Sequence, residues 1–280
     1  MVANVKVDLH IHSAASDGSL SAEQVLAASR ERGLEIIALT DHETTAGAEM
    51  ALAKAGGYGL RVIPALELST HYKGEEIHLL GYYPGGTGHP HLQERLFSAR
   101  RRRTELIRWM VEELALRGVP LDWGMVAQTA AGETVCKTHI YYAIQRYWPT
   151  ATERDWRMVG ESVRKGGCAY CPYEEYGFAE AVALVRETGG LPVLAHPGLI
   201  ADRARVPELL ALGVGGIEAY YGYWHDGAAL VRAFTRLGRE YALPRTGGSD
   251  YHSGFSRFAI GAVPTPAEAV RELLEVLARL

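Results

Sequence analysis

Short apolar runs that end at charged or imidazole side chains recur along this chain of 280 residues. The runs predict strands at 5–10, 36–40, 61–67, 77–82, 192–195, 216–220 and 244–248. Amphipathic patterns between several of them predict helices at 21–32, near 45–55, and at 178–188, 226–241 and 266–279. Strands that alternate with helices are typical of an α/β protein with a parallel sheet, because each helix carries the chain back to the same edge. We therefore predict an α/β fold.

The middle of the chain has no such alternation. The Gly- and Pro-rich segment GYYPGGTGHPHL precedes a long amphipathic stretch, and no confident strand is predicted from 83 to about 168. We interpret 88–172 as a helical insertion in a barrel that 1–87 and 173–280 form together. The insertion contains four consecutive arginines, Arg100 to Arg103. A solvated helix face is expected for them, and a phosphate-binding strip is the alternative.

The composition excludes several classes of protein. With 48% hydrophobic residues, 22% charged residues and a net charge of −4, the chain is typical of a globular protein. It has no broad basic surface for reading duplex DNA, although a short or local nucleic-acid site stays open. The sequence has neither a signal-peptide pattern at its start nor an apolar run long enough to span a bilayer. We therefore expect a cytoplasmic location and no membrane partner, and we leave the oligomeric state open.

The three cysteines are too few for a disulfide framework. Cys168 and Cys171 form a single C-x-x-C motif, but a zinc ribbon needs a second pair and only Cys136 remains. We expect buried or incidental thiols, and we leave the role of Cys168 and Cys171 open.

Imidazole and carboxylate side chains lie at the ends of six predicted strands. In VDLHIHSAASDG, His10 and His12 are two residues apart in a strand and so face the same side, and the following loop carries Asp17. The other strand ends carry Asp41, His42, Glu67, His196, Asp250 and His252, and the fourth predicted strand contains His78. Functional groups of parallel α/β barrels gather at the carboxyl ends of the strands, so we expect these side chains to meet. Any one of them alone is more often a capping or hydrogen-bonding group, but the set predicts a mixed nitrogen and oxygen site for zinc, manganese or iron.

Five sequence blocks carry a resemblance to a known family: DLHIHSAASDGSL, IIALTDHETTAG, LELST with EIHLLGY, VLAHPG and GGSDYH. They resemble the PHP (polymerase and histidinol phosphatase) superfamily, and in particular its stand-alone branch of nucleotide phosphatases and 5′→3′ exoribonucleases, the RNase AM or TrpH-like proteins. The resemblance covers nearly the whole chain. It implies a distorted (β/α)7 barrel with a helical insertion that forms one wall of the substrate pocket. One departure is Glu43, where the family usually has Asp.

The resemblance also implies a trinuclear centre of divalent ions, with manganese as the first choice and iron or zinc as alternatives. The first ion is expected to bind His10, His12, Glu67 and Asp250, the second Glu67, His78 and His196, and the third Asp17, His42 and His252. Asp41 is expected to orient an imidazole or a bridging solvent molecule, and Glu218 to support a ligand. His252 or His196 is expected near the leaving group as the proton donor. The predicted catalytic residues are therefore Asp41, His196 and His252.

Clustered divalent ions predict hydrolysis of a phosphate ester, because they generate hydroxide near neutral pH and neutralise phosphoryl oxygens. The sequence has no G-x-S-x-G elbow, no P-loop and no G-x-G-x-x-G after a strand, so metals and cationic side chains must hold the phosphates. By resemblance, the segments VCKTHIYYAI and RKGGCAYCPY supply the phosphate-binding candidates Lys137, His139 and Lys165, and Arg257 is a further candidate. The expected activity is metal-dependent removal of the 3′-phosphate from nucleoside 3′,5′-bisphosphates, 5′→3′ cleavage of short 5′-phosphorylated RNA, or both.

Aromatic side chains surround the predicted pocket. Stacking on a base and packing in the insertion core are equally expected for Tyr141, Tyr142, Tyr147 and Trp148. A position near the mouth of the pocket is expected for Tyr220, Tyr221, Tyr223 and Trp224, which follow the sixth strand.

Three alternatives stay open. A histidinol-phosphate-type phosphatase would act on a small phosphomonoester, although the long insertion and the KTH and KGG segments favour nucleotides. A non-catalytic or accessory PHP module would use metals for structure, although such modules are usually fused to larger chains or have lost ligands. A metal-dependent amidohydrolase also begins with H-x-H, but it typically uses a carbamylated lysine, and no lysine ends a predicted strand here.

Overall fold

The computed structural model describes residues 5–223, 225–254 and 256–280. Its strands are β1 (Val7–Ile11), β2 (Ile36–Leu39), β3 (Arg61–Val62), β4 (Ala65–Tyr72), β5 (Glu75–Tyr82), β6 (Leu191–Leu194), β7 (Gly216–Tyr221) and β8 (Arg245–Gly248). Its α-helices are α1 (Ala22–Glu31), α2 (Ala46–Lys54), α3 (Pro90–Ala115), α4 (Trp123–Ala127), α5 (Lys137–Tyr147), α6 (Glu153–Val163), α7 (Phe178–Glu187), α8 (Val206–Ala211), α9 (Gly227–Glu240) and α10 (Ala267–Leu277). The α/β fold class is confirmed. Helices α1, α2, α7, α9 and α10 lie within a few residues of their predicted bounds.

The strands form two sheets, and only one of them is wholly parallel. The first has the order β1-β2-β3 and is parallel throughout. The second has the order β4-β5-β6-β7-β8, in which β5 runs antiparallel to both of its neighbours. The prediction of a parallel sheet was therefore wrong for β5. No closed barrel is found among the described residues, so the (β/α)7 barrel is not confirmed.

A tight hairpin explains the reversed strand. The apolar run predicted as one strand over 61–67 is interrupted at Pro64, which has no backbone N–H to continue the sheet ladder. The chain then continues as β4 and turns at Lys73 and Gly74, which have φ angles of 49° and 74°. Two successive residues with positive φ form the turn that joins antiparallel strands most readily. The Lys-Gly pair is the sequence feature that marks this hairpin.

Backbone hydrogen bonds join the two sheets along one seam. Asp250 donates its N–H to the carbonyl of His10 at 2.8 Å, and His12 donates to the carbonyl of Tyr251 at 2.9 Å. These bonds continue β1 beside the residues that follow β8. The side chains at the end of β1 therefore lie beside those at the end of β8.

A second seam joins the end of β2 to β4. Glu67 donates its N–H to the carbonyl of Asp41 at 3.2 Å, and Glu43 donates to the carbonyl of Glu67 at 3.0 Å. Residues 41–43 and the middle of β4 are thus held side by side. Together the two seams bring four separate parts of the chain to one place.

The long helix α3 spans two hydrophobic cores. Leu92, Leu96 and Ala99 in its first half pack with the strands of the second sheet. Ile107 and Leu114 in its second half belong to a separate core with α4, α5 and α6. Among the described residues, none of the helices, α3 included, is both long and apolar enough to cross a membrane.

Replacing Gly248 in β8 tests how closely the two sheets pack. A Cβ at this position would lie 2.3 Å from the Cβ of His10, so Gly248→Ala must push β8 away from β1. We expect an overpacking cost of about 1–3 kcal/mol or more, measured as a lower melting temperature. Gly57→Ala is the matched control, because no atom lies within 4 Å of a Cβ built there. Equal melting temperatures for the two variants would contradict this packing.

Candidate metal centre

The first group of donor atoms comes from β1, β4 and the end of β8. His10 and His12 are fully buried and point to the same side of β1. Nε2 of His12 lies 3.2 Å from Oε2 of Glu67 and 3.2 Å from Oδ1 of Asp250. Nε2 of His10 lies 3.4 Å and 3.3 Å from the same two oxygens. The structure thus brings together all four residues of the first predicted ligand set.

A second donor group lies around the loop that follows β1. It contains His12, Asp17, His42 and His252. Oδ1 of Asp17 lies 3.5 Å from Nε2 of His252 and 3.7 Å from Nδ1 of His12. The structure therefore brings together the three residues of the third predicted set. It adds His12, whose two ring nitrogens face different donor groups.

Glu67 lies between the remaining imidazoles. Its Oε1 is 3.0 Å from Nδ1 of His78 and 3.2 Å from Nε2 of His196. Its Oε2 faces His12 and is also 3.4 Å from Nδ1 of His42. Glu67, His42 and His78 form a third donor group, and His196 contacts the same carboxylate without being part of that group. One carboxylate therefore faces two different sets of nitrogen donors with its two oxygens.

Two buried ring nitrogens of this cluster lack a hydrogen-bond partner, as expected of atoms that bind divalent cations. Nδ1 of His12 and Nδ1 of His42 are buried and have no hydrogen-bond partner. Nε2 of His10 and Nε2 of His12 face each other at 3.3 Å. Buried nitrogens without partners are costly unless something else binds them. Imidazole and carboxylate donors are the ligands that zinc, manganese and iron accept, so the residues present fit such ions.

The carboxylates of the cluster are ionised before any ion binds. Burial would raise the pKa of Glu67, but His78, His10 and His42 beside it hold that pKa well below its usual range. The pKa of Asp250 is likewise held low against the effect of burial, chiefly by His10. For His42 burial is the largest effect, and it holds the imidazole pKa well below its usual range. Burial alone would lower the pKa of His12 and of His78, but the neighbouring carboxylates raise both to about 10. A metal ion would therefore displace protons from these two imidazoles as it binds.

Two buried carboxylates fix the positions of the donors. Glu218 lies 3.0 Å from Nδ1 of His10 and accepts a hydrogen bond from the backbone N of His196 at 2.8 Å. This contact directs Nε2 of His10 towards the donor group. Asp41 accepts hydrogen bonds of 2.7 Å from the backbone N and Oγ of Ser13 and from Oγ of Ser16. Asp41 therefore holds the loop that carries the second donor group, and its orientation of an imidazole or a bridging solvent molecule stays a prediction.

Several residues of the cluster have a strained backbone. Glu43, His196 and Asp250 have φ angles of 54°, 24° and 52°. Positive φ is uncommon for residues other than glycine and costs of the order of 1–3 kcal/mol. The surrounding hydrogen bonds hold these residues in conformations that their side chains disfavour.

The donors open onto a cavity of about 270 Å³. Of the predicted phosphate-binding residues, Lys137 lines it, and Nζ of Lys137 lies 3.4 Å from Oε2 of Glu76. The predicted catalytic residues His196 and His252 also line it. Lys137 is the first residue of α5, so the positive end of that helix faces the same space.

The structure does not bring the other three predicted phosphate-binding residues into this cavity. His139 is buried, and its Nδ1 accepts a hydrogen bond from the backbone N of Cys136 at 2.9 Å, which caps α5. Lys165 is exposed and donates to a backbone carbonyl in the β4–β5 turn. Arg257 donates to the carbonyl of Tyr223 at 3.3 Å, and its guanidinium lies over Phe258. Trp224 lies outside the described residues.

Arg103 lines the cavity, although a solvated helix face was expected for it. It is only 5% exposed and donates to Oγ of Ser69 at 2.6 Å and to Oε1 of Glu43 at 3.1 Å. Its guanidinium also lies 4.4 Å from the centre of the Tyr173 ring. The sequence contained a signal for this burial, because position 103 continues the apolar stripe of α3, which comprises Leu92, Leu96, Ala99, Ile107 and Met110. Arg101 and Arg102 are exposed, as predicted.

The C-x-x-C motif lies apart from the donor groups found in the described residues. All three cysteines are free thiols: Cys136 is buried, Cys171 is partly buried and Cys168 is exposed.

Comparisons with known proteins agree with these motifs. Residues 8–115 match the family model described as PHP domain. The chain is 34% identical to the phosphoribosyl 1,2-cyclic phosphate 1,2-diphosphodiesterase of Eggerthella lenta, over 89% of this chain and 95% of that protein. It is 27% identical to the 5′-3′ exoribonuclease Rnm of Escherichia coli, with 96% and 93% covered, and 28% identical to the 3′,5′-nucleoside bisphosphate phosphatase of Chromobacterium violaceum, with 88% and 87% covered.

A solved structure shares the fold. It is that of a Chromobacterium violaceum protein described as an amidohydrolase with bound sulfate and no metal. The TM-score is 0.86 at 24% identity, and the match covers 98% of this chain and 96% of that one. At this identity the likeness establishes the fold alone.

Glu218→Gln tests whether the contact with His10 matters for cation binding. The amide keeps the size of the side chain but removes the charge that orients the imidazole, so we expect the affinity for Mn²⁺ to fall about 10- to 100-fold. Isothermal titration of the purified protein with Mn²⁺ measures this. Glu208→Gln, on an exposed residue paired with Lys73, is the control and should leave the affinity unchanged. An unchanged affinity in Glu218→Gln would contradict the role of Glu218.

Proposed function

The chain belongs to the PHP domain family, and on that premise we propose that it is a metal-dependent phosphoesterase acting on nucleotide phosphates. The proposed reactions are removal of the 3′-phosphate from nucleoside 3′,5′-bisphosphates and 5′→3′ cleavage of short 5′-phosphorylated RNA. One observation carries the proposal: imidazoles and carboxylates from β1, β4, β5 and the ends of β2, β6 and β8 converge at one cavity. The cavity also holds the cationic side chains of Lys137 and Arg103.

We propose three divalent ions, with manganese as the first choice, held by the three predicted ligand sets. Bound ions supply positive charge for the phosphoryl oxygens and activate water for the attack. The described contacts support Glu67 as the ligand shared by the first two sets, because its two oxygens face different imidazoles. The position of His12 between two donor groups supports close spacing of the ions.

The remaining roles follow from where the side chains lie. His196 and His252 line the cavity, with side chains 10% and 24% exposed, and this position supports them as proton donors to the leaving oxygen. Lys137 is proposed to hold the phosphate that is not cleaved, aided by the positive end of α5. Asp41 acts as a positioning residue, because it binds the loop of Ser13 and Ser16.

The architectural part of the proposal is a distorted barrel formed by both sheets. We assign 1–87 and 173–280 to this unit and 88–172 to a helical insertion that forms one wall of the pocket. The two hydrogen-bonded seams support the first assignment. Lys137, Thr138 and Arg103, which all come from 88–172, line the cavity and so support the second. A cytoplasmic location belongs to the same proposal.

A second candidate function is hydrolysis of a cyclic phosphodiester of a phosphoribosyl compound. The identity to the Eggerthella lenta enzyme over almost its whole length favours it. The same donor groups would serve a diester as well as a monoester, so the cluster alone does not separate the two candidates.

A substrate panel with Mn²⁺-loaded protein tests the function. Steady-state rates would be compared on adenosine 3′,5′-bisphosphate, a short 5′-phosphorylated RNA, phosphoribosyl 1,2-cyclic phosphate and histidinol phosphate. We expect the highest kcat/KM on the bisphosphate or the RNA. A preference for the cyclic diester would select the second candidate, and a preference for histidinol phosphate would select a small-phosphomonoester phosphatase. Absence of hydrolysis on all four would reject a phosphoesterase and favour an accessory module.

His12→Ala and Asp250→Ala should both abolish turnover in this panel, because each removes a donor from the first group. His91→Ala is the matched control, since His91 is exposed on α3. Residual activity of either variant close to that of His91→Ala would contradict the assignment of the donors.

Lys137→Ala should mainly weaken substrate binding. Loss of one charge-assisted contact is expected to raise KM for adenosine 3′,5′-bisphosphate about tenfold, with kcat nearly unchanged. Lys165→Ala removes an exposed lysine outside the cavity and should leave KM as it is. A larger effect of Lys165→Ala than of Lys137→Ala would reverse their roles.

A further inference from the structure

A second cavity adjoins the metal centre, and we propose that it binds the nucleobase of the substrate. It has a volume of about 510 Å³ and is lined by Thr138, Tyr141, Tyr142, Gln145, Trp156 and Ser253. The inference rests on the proposed function, because it assumes that the cleaved ester belongs to a nucleotide. It assigns a binding site to the nucleobase, which is the part of the substrate that the donor groups do not contact.

Thr138 connects the two cavities. It lines both of them, and its Oγ1 donates a hydrogen bond of 2.7 Å to Oδ2 of Asp17 in the second donor group. Tyr142 donates its hydroxyl to the carbonyl oxygen of the same Asp17 at 3.0 Å. Ser253 directly follows the donor His252. The two cavities therefore share the side chain of Thr138 as part of their linings.

One face of helix α5 forms a wall along the second cavity. Thr138, Tyr141, Tyr142 and Gln145 are spaced three, four and seven residues from the first of them on α5, so they share one face. Seven residues of α-helix span about 10 Å. The cavity thus extends away from the phosphate-binding end of α5 along a single wall.

Two aromatic rings, those of Tyr141 and Trp156, give the second cavity a flat apolar surface, and Gln145 adds a polar group. The rings of Tyr141 and Trp156 are inclined by 11° with their centres 6.3 Å apart, and both line the cavity. Aromatic faces stack with any nucleobase, because every base has a π-face. The amide of Gln145 can donate and accept at a base edge without selecting one base. An anionic group at the metals and a flat heterocycle on these rings together describe a nucleotide.

The cavity also separates the two candidate functions. A phosphoribosyl cyclic phosphate has no base, so it would leave the aromatic wall uncovered. A nucleoside 3′,5′-bisphosphate would use both cavities. The geometry therefore favours nucleotides over base-free ribose phosphates as substrates.

Kinetics on a matched pair of substrates test the proposal. For Trp156→Ala we expect KM on adenosine 3′,5′-bisphosphate to rise about tenfold, with kcat close to that of the unmodified protein. KM on ribose 3,5-bisphosphate, which lacks the base, should not change. Trp156→Phe keeps an aromatic face and should restore KM to near its original value. Trp109→Ala, on a tryptophan that is 39% exposed on α3 and outside the cavity lining, is the matched control.

Adenosine binding to the Mn²⁺-loaded protein gives a second readout that needs no turnover, because adenosine has no phosphate to cleave. Adenosine should quench the tryptophan fluorescence saturably, ribose should not, and Trp156→Phe should lose the quenching. Tyr141→Leu, which removes the other ring, should weaken the same binding and serves if Trp156→Ala does not fold.

The outcomes separate the inference from the function on which it rests. Hydrolysis of both bisphosphates with equal KM, together with no saturable adenosine binding, would overturn the base-binding cavity and leave the phosphoesterase intact. Failure to hydrolyse the bisphosphates, the RNA and the cyclic diester alike would overturn the proposed function, while adenosine titration would still decide whether the cavity binds a base. Equal KM values for Trp156→Ala and Trp109→Ala would also overturn the inference.

Discussion

The carboxylate of Glu67 is the group on which the arrangement of this protein depends. It is buried and ionised and contacts imidazoles on both of its oxygens. A buried charge is stable only when it is compensated, so the surrounding strands must keep those imidazoles within a few ångströms. The β4–β5 hairpin supplies His78 from the neighbouring strand, and the seam to the end of β2 supplies His42. Much of the strand topology thus places imidazoles around this one carboxylate.

Local patterns made part of the site predictable. His10 and His12 share a face because strand periodicity is two, and Asp250 and His252 follow the segment 244–248, which was predicted as a strand and forms β8. Such features depend on a few adjacent residues, so the sequence contains them. The α/β class follows in the same way from repeated local units. The assignment of these donors to particular ions stays a prediction.

Three features of the structure were not predicted from the sequence. The direction of β5 is set by a two-residue turn at Lys73, which a search for apolar runs passes over. Arg103 is buried because Glu43, Ser69 and Tyr173 compensate its charge, and these partners are far away in the sequence. His139 caps its own helix, so a motif that suggested a substrate contact has a local structural use. Distant partners decide the outcome for Arg103, whereas a local turn decides it for β5 and a local cap decides it for His139.

The positive φ angles at His196 and Asp250 limit how this protein can be stabilised. Glycine would relax the backbone at either position, but it would delete an imidazole or a carboxylate from the cluster. Thermostability and function therefore oppose each other at these two residues, as is common where a site stores conformational strain. Directed evolution for heat resistance would have to find its gains elsewhere, for example on the exposed faces of the outer helices.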